Sequence, residues 1–181
     1  MTAFALRADG WYLRQDIIWQ KQNPMPESVT DRCTKAHEYI FLLTKSPKYY
    51  FDAEAVKETT TDSYEGRRGK IKQRKKTQSA MGDSTWIPDY HPENKRNKRS
   101  VWTVNTKPYK GAHFAVFPPS LIRPCILAGC PQGGTVLDPF GGSGTTGLVA
   151  EEEGRNSVLI ELNPEYVEIA KGRTSQQGLF C

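Results

Sequence analysis

Nine residues constrain this chain more than any others: Asp138-Pro139-Phe140-Gly141-Gly142-Ser143-Gly144-Thr145-Thr146. They follow Thr135-Val136-Leu137-Asp138, which reads as a strand, and they run into Thr145 to Glu153, which reads as a helix stopped by Gly154. A backbone that turns sharply from strand into helix and also approaches a ligand closely needs residues without Cβ. Ser157-Val158-Leu159-Ile160-Glu161 then reads as a second strand, and Pro164 to Lys171 as a second helix with Pro164 in its first turn. This β-loop-α-β-α order is the opening unit of an open α/β sheet.

Which ligand such a loop takes depends on its neighbours. Gly142-x-Gly144-x-x-Gly147 matches the dinucleotide fingerprint, and Glu161 falls where a ribose-binding acid belongs. A strand-end carboxylate can accept hydrogen bonds from both ribose hydroxyls. A nicotinamide dinucleotide, however, needs a second mononucleotide half, and only the helix from Pro164 and a short tail follow Glu161. A P-loop would place Lys before the Thr, and Ser143-Gly144-Thr145 has none. Asp138 adds negative charge at the strand end, which disfavours a phosphate there. It suits a cofactor that is cationic at that point, as the sulfonium and amino groups of S-adenosylmethionine are.

The remaining chain is compatible with one α/β domain. Residues 3–9 read as the last turns of a helix closed by Gly10, Trp11 to Trp19 as a strand, and His37 to Thr44 as a buried strand. Order returns at Val101-Trp102-Thr103-Val104, and Pro118 to Gly129 reads as a helix with prolines at its start. The 181 residues suffice for one domain with a real core. No apolar run approaches a membrane span and no signal-peptide pattern opens the sequence, so a cytoplasmic protein is expected. Cys33, Cys125, Cys130 and Cys181 form no metal signature and read as free buried thiols; His37, His91 and His113 are equally scattered.

Charge is unevenly spread. Residues 58–110 hold 13 Lys/Arg against 6 Asp/Glu, whereas the remainder holds 12 against 14. A basic segment beside a near-neutral body points to a polyanionic partner. Residues 58–100 are polar and nearly free of aliphatic side chains, with Tyr64, Trp86 and Tyr90 interspersed, and read as an inserted loop region.

Together these segments resemble the bacterial and phage DNA amino-methyltransferases, which methylate the exocyclic nitrogen of adenine (N6) or cytosine (N4). The resemblance rests on the loop from Asp138 to Thr146 and on Glu161-Leu162-Asn163-Pro164-Glu165-Tyr166. Upstream it extends to His113-Phe114-Ala115-Val116-Phe117-Pro118-Pro119-Ser120-Leu121, and further to Trp19–Ser28 and Lys35–Phe41. The cofactor motif lies C-terminal to the segments of the target-base half, as in the permuted, beta-type members. The resemblance implies a Rossmann-like sheet with S-adenosylmethionine on one side and an extruded base of double-stranded DNA on the other. It implies cofactor contacts from His113, Phe117, Pro118, Asp138, Pro139, Phe140, Gly142, Ser143, Gly144, Thr145, Glu161 and Asn163. It puts Lys21, Asn23, Pro24 and Pro26 near the target base. Residues 1–57 would belong to the target-base half, 58–100 to target recognition, and 101–181 to the cofactor half. Within the insert and its end, Arg67, Arg68, Lys70, Lys72, Arg74, Lys75, Lys76, Lys95, Arg96, Lys98 and Arg99 are the candidates to neutralise DNA phosphates.

One family element has no counterpart. Members carry an Asp/Asn/Ser-Pro-Pro-aromatic tetrad that orients the amino group to be methylated, and no such tetrad occurs here. Phe117-Pro118-Pro119-Ser120 has the prolines but neither end. Ser46-Pro47-Lys48-Tyr49 comes nearest, with Ser46, Pro47 and Tyr49 matching and Lys48 replacing a proline. The expectation is therefore a C-terminal portion whose catalytic strand comes from an upstream segment or a partner chain. Its sheet should show a gap between the strands around Ile17 and Leu137. The alternatives are a non-catalytic remnant that binds cofactor or DNA only, and an unrelated Rossmann-type domain.

Overall fold

The computed structural model describes residues 2–59, 95–106 and 116–175. Helix α1 (Thr2–Ala8) leads into β1 (Tyr12–Gln20), which pairs antiparallel with β2 (His37–Thr44) in a register that sets Ile17 opposite Ile40 and Trp19 opposite Glu38. A two-stranded ladder joins β3 (Glu58–Thr59) to β4 (Lys95–Arg96), so both ends of the basic insert are ordered and paired rather than loop. Strand β5 (Val101–Thr103) runs parallel to the end of β1, with Trp102 beside Trp19. Helix α2 (Pro119–Gly129) follows, and then β6 (Thr135–Asp138), α3 (Thr145–Glu152), β7 (Asn156–Leu159) and α4 (Pro164–Ser175) complete the chain described.

The strands of the first half hold because alternation puts Ile17 and Trp19 on one face, where they bury with Trp102 and Leu121. Both indoles satisfy their N–H: Trp19 Nε1 donates to the Val104 carbonyl and Trp102 Nε1 to the Arg99 carbonyl, each at 2.7 Å. Helix α2 begins where Pro118 is extended and Pro119 occupies the first turn, a position that needs no N–H. It joins the two halves of the molecule. Leu121 enters the Trp cluster, while Ile126 packs with Val149, Ala150 and the partly buried Val136 in the second. Arg123 of α2 pairs with Glu152 and Glu153 at the end of α3.

In the second half β6 and β7 are parallel, with Asp138 opposite Leu159. Helix α3 packs so closely on β7 that a Cβ at Gly147 would come within 2.9 Å of the Leu159 Cδ1, which explains the third glycine of the fingerprint. Strand β7 ends at Leu159, earlier than its sequence suggests, so Glu161 lies just beyond the strand; the Ile160 N–H still donates to the Asp138 carbonyl at 2.9 Å. Helix α4 runs one turn longer than expected, to Ser175.

Among the described residues the strands fall into separate sheets of order β2-β1-β5, β3-β4 and β6-β7. Strand β5 pairs with β1 at Ile18–Gln20, and among the described residues no ladder connects either strand to β6. On the face of β6 and β7 opposite α3, Leu137, Val158 and Ile160 stand 63%, 51% and 50% exposed. A parallel sheet normally has both faces covered; among the described residues no element packs over this face. One cysteine also departs from expectation: Cys33 is exposed, whereas Cys125 is half-buried and Cys130 buried. Cys181 lies outside the described residues.

Candidate functional site

The glycine loop sits at the C-terminal ends of two adjacent parallel strands, where open α/β sheets bind ligands. Each strand end contributes a carboxylate. Asp138 Oδ1 accepts the Phe140 N–H at 3.0 Å, and its Oδ2 accepts the Thr146 hydroxyl at 2.6 Å. Glu161 Oε2 accepts the Gly142 N–H at 2.8 Å, and its Oε1 accepts the Asn163 N–H at 2.9 Å. These two bonds, the Asn163 one first, hold the Glu161 carboxyl below the usual carboxylate range against a small opposing effect of burial. Each oxygen of the two carboxylates accepts at least one bond, and a carboxylate offers about four acceptor sites in all.

Further bonds shape the turn. Gly141 donates to the Ile160 carbonyl at 2.8 Å and Gly144 to the Gly141 carbonyl at 2.9 Å. Gly144 is left-handed at φ +80° and caps α3; a Cβ there would meet Ala170 Cβ at 2.7 Å. Asn163 Oδ1 accepts the Glu165 N–H at 2.9 Å and starts α4. Pro139 and Phe140 project at the tip, Phe140 86% exposed.

Two clefts flank the loop. One, of about 690 Å³, is lined by Phe117, Cys125, Leu137, Asp138 and Thr146; the other, of about 500 Å³, by Gly142, Glu161, Val167 and Ala170. Asp138 and Phe117 are thus brought together, as are Gly142 and Glu161, with the loop between the pairs. Pro118 is buried at the start of α2. Ser143 and Thr145 are also buried, and their hydroxyls face Arg173 of α4. His113 lies outside the described residues.

The other sequence candidates are elsewhere. Lys21 pairs with Glu38 and lies 4.4 Å from the centre of the Trp19 ring. Asn23 exchanges two hydrogen bonds with Thr106, donating to its carbonyl at 3.0 Å and accepting its N–H at 3.2 Å, so the segment after β1 is stapled to the one after β5. Pro24 is half-buried and Pro26 exposed. Ser46 and Tyr49 line a third cleft, of about 610 Å³, among Trp11, Phe51 and Trp102, which includes no residue of the glycine loop. The Ser46 and Pro47 carbonyls accept hydrogen bonds from Arg14. The structure therefore does not bring the substitute tetrad to the cofactor loop.

Arg67, Arg68, Lys70, Lys72, Arg74, Lys75 and Lys76 fall outside the described residues. At the insert's end, Arg96, Lys98 and Arg99 converge on Glu58, with Arg99 Nε at 3.1 Å. Burial opposes ionisation of Glu58, but the Arg99 hydrogen bonds and the charges of Arg99 and Lys98 outweigh it and lower its pKa. Lys95 pairs through its backbone with Thr59. Neither this clasp nor Arg173 carries a motif, and both were missed from sequence. Among the described residues no three His, Cys, Asp or Glu side chains group as metal ligands, and no helix is long and apolar enough to cross a membrane.

A family model described as DNA methylase, of the N6/N4 type, matches residues 1–172. Over 171 residues the chain is 53% identical to the type II methyltransferase M.Cfr9I of Citrobacter freundii, covering 94% of this chain and 47% of that protein. It is 50% identical to the type II methyltransferase M.SmaI of Serratia marcescens, covering 94% and 49%. The chain thus spans about half the length of these relatives. Among solved structures, the PvuII DNA methyltransferase (cytosine-N4-specific) aligns with a TM-score of 0.67 at 21% identity, covering 95% of this chain and 54% of that one. The M1.HpyAVI–SAM complex aligns at 0.60 and 24% identity, covering 95% and 66%. The α/β fold is shared with both.

Proposed function

The chain belongs to the N6/N4 DNA methylase family, and from that premise we propose that it is the cofactor-binding portion of a DNA amino-methyltransferase. The observation that carries this is the pair of strand-end carboxylates, Asp138 and Glu161, each tied to the backbone of one glycine loop. Two anionic groups with spare acceptor capacity fit S-adenosylmethionine, which is cationic at its sulfonium and amino group and offers two ribose hydroxyls. The fold likeness to a methyltransferase solved with SAM supports the same choice. When bound, the cofactor supplies an electrophilic methyl group. Asp138 attracts the cationic end, Glu161 accepts from the ribose, and Phe117 walls the cleft beside Asp138.

The acceptor is the exocyclic amino group of adenine or cytosine in double-stranded DNA, in a restriction-modification setting like that of the type II relatives. Residues 58–100 serve target recognition, with phosphate contacts from the basic residues of the insert and its end. Residues 1–57 form part of the target-base half, where Lys21, Asn23, Pro24 and Pro26 border the base. The catalytic tetrad comes from another segment, either the rest of a longer protein or a partner chain. Among the described residues β6 pairs only with β7 and the Leu137-Val158-Ile160 face is exposed, which favours that arrangement, because a further strand and helix would cover both. A remnant that binds cofactor or DNA without transferring methyl is the second reading, favoured by the absence of a tetrad in the sequence.

Calorimetric titration tests the cofactor. S-adenosylmethionine should bind and NAD should not. Asp138→Ala should weaken binding by at least about tenfold, as loss of a charge-assisted interaction does. NAD binding in preference, or unchanged affinity in the variant, would refute the assignment.

A further inference from the structure

We propose that Arg173 is a positioning residue of the cofactor loop: from α4 it holds the Ser143–Thr145 segment in the shape that receives the methyl donor. The inference rests on the loop being a cofactor site. Arg173 Nη1 donates to the Ser143 carbonyl at 2.8 Å, to the Ser143 hydroxyl at 3.0 Å and to the Thr145 hydroxyl at 3.2 Å. Ser143 and Thr145 are 7% and 2% exposed, so these hydroxyls are turned inward to the guanidinium rather than outward to a ligand. The residue between them, Gly144, touches Ala170 less than one turn before Arg173 on the same helix.

Helix α4 therefore grips the loop at two places. Glu161, just before the helix, takes the Gly142 N–H, and Arg173, near its end, donates to the Ser143 carbonyl and to the hydroxyls on both sides of Gly144. Fixing the Ser143 carbonyl fixes the plane of the Ser143–Gly144 peptide and so the direction of the Gly144 N–H. Arg173 does not line the two clefts that flank the loop. Its effect on a ligand must pass through the backbone, as preorganisation rather than contact. On this proposal the side chains of Ser143 and Thr145, expected from sequence to contact the cofactor, serve as scaffold through these bonds.

The test compares the full chain with Arg173→Met, Arg173→Lys and Ser143→Ala by S-adenosylmethionine titration, hydrogen exchange of the amides of residues 142–146 in the ligand-free protein, and thermal melting. Arg173→Met should speed loop exchange and weaken cofactor binding by about ten- to a hundredfold, the scale of a lost charged hydrogen bond. Arg173→Lys should recover part of that loss. Ser143→Ala, which leaves the carbonyl bond intact, should weaken binding less and still speed exchange at residues 142–146; if the Met variant unfolds, wild-type exchange in Ser143→Ala overturns the proposal. Affinity within twofold of the wild type in Arg173→Met, or a Lys variant no better than Met, overturns the proposal. A wild-type chain that binds no S-adenosylmethionine would sink the cofactor assignment instead. The exchange comparison would then still decide whether Arg173 holds the loop, and unchanged exchange would refute it.

Discussion

At the scale of single residues, geometry separates groups that sequence treats alike. The glycines of the fingerprint do different work. Gly147 admits β7, and Gly144 supplies a left-handed turn against Ala170. Gly144→Ala should therefore destabilise by about 1–3 kcal/mol from backbone strain alone, read as a shift in the denaturation midpoint. The thiols also divide. Burial pushes the Cys125 thiol up to about 11, so it stays protonated and unreactive near neutrality, while Cys33 is exposed. Alkylation followed by peptide mass mapping at pH 8 should label Cys33 first and Cys125 only on unfolding. Glu161 was legible as a strand-end acid because spacing after a glycine turn is a local signal. Arg173 was not, since it lies 30 positions from Ser143 and no periodicity reports a contact made across the fold.

At the scale of elements, alternation and caps located the described helices and longer strands to within a few residues. His37–Thr44 and Thr135–Asp138 matched in extent, because a bounded apolar run between turn signals leaves little choice, but β2 is not the buried strand expected: Tyr39 and Phe41 stand 52% and 38% exposed. The insert's ends were read as loop because a two-residue ladder is too short to show a period. An ion cluster on Glu58 adds to the backbone ladder that holds it. Glu58 has its pKa lowered from 4.5, so its share of stability is present above that value and is lost as pH falls through the lower, folded one. The β3–β4 amides should accordingly exchange faster in Glu58→Gln than in wild type at pH 7, by an amount worth no more than about 1 kcal/mol for a group this near the surface. As pH falls through the lowered, folded value the two should converge. A constant difference across that range would mean the clasp is not ionic.

At the scale of the whole molecule, α2 unites a tryptophan-centred sheet with a β-loop-α-β-α unit, yet the described strands form no continuous sheet. The pairing of β5 with β1 was not legible in the sequence. Strand pairing depends on which partners are present, which no single segment encodes. The chain matches its family over residues 1–172 while spanning about half of its relatives. A donor site without an acceptor-orienting tetrad should bind cofactor and transfer nothing by itself. The most direct measurement is incorporation of labelled methyl from S-adenosylmethionine into mixed-sequence DNA, with this chain alone and with a segment supplying the Asp/Ser-Pro-Pro-aromatic tetrad. The chain alone should give background incorporation, and N6-methyladenine or N4-methylcytosine should appear once the segment is present. Robust methylation by the chain alone, or none after reconstitution with a folded, cofactor-binding complex, would contradict it.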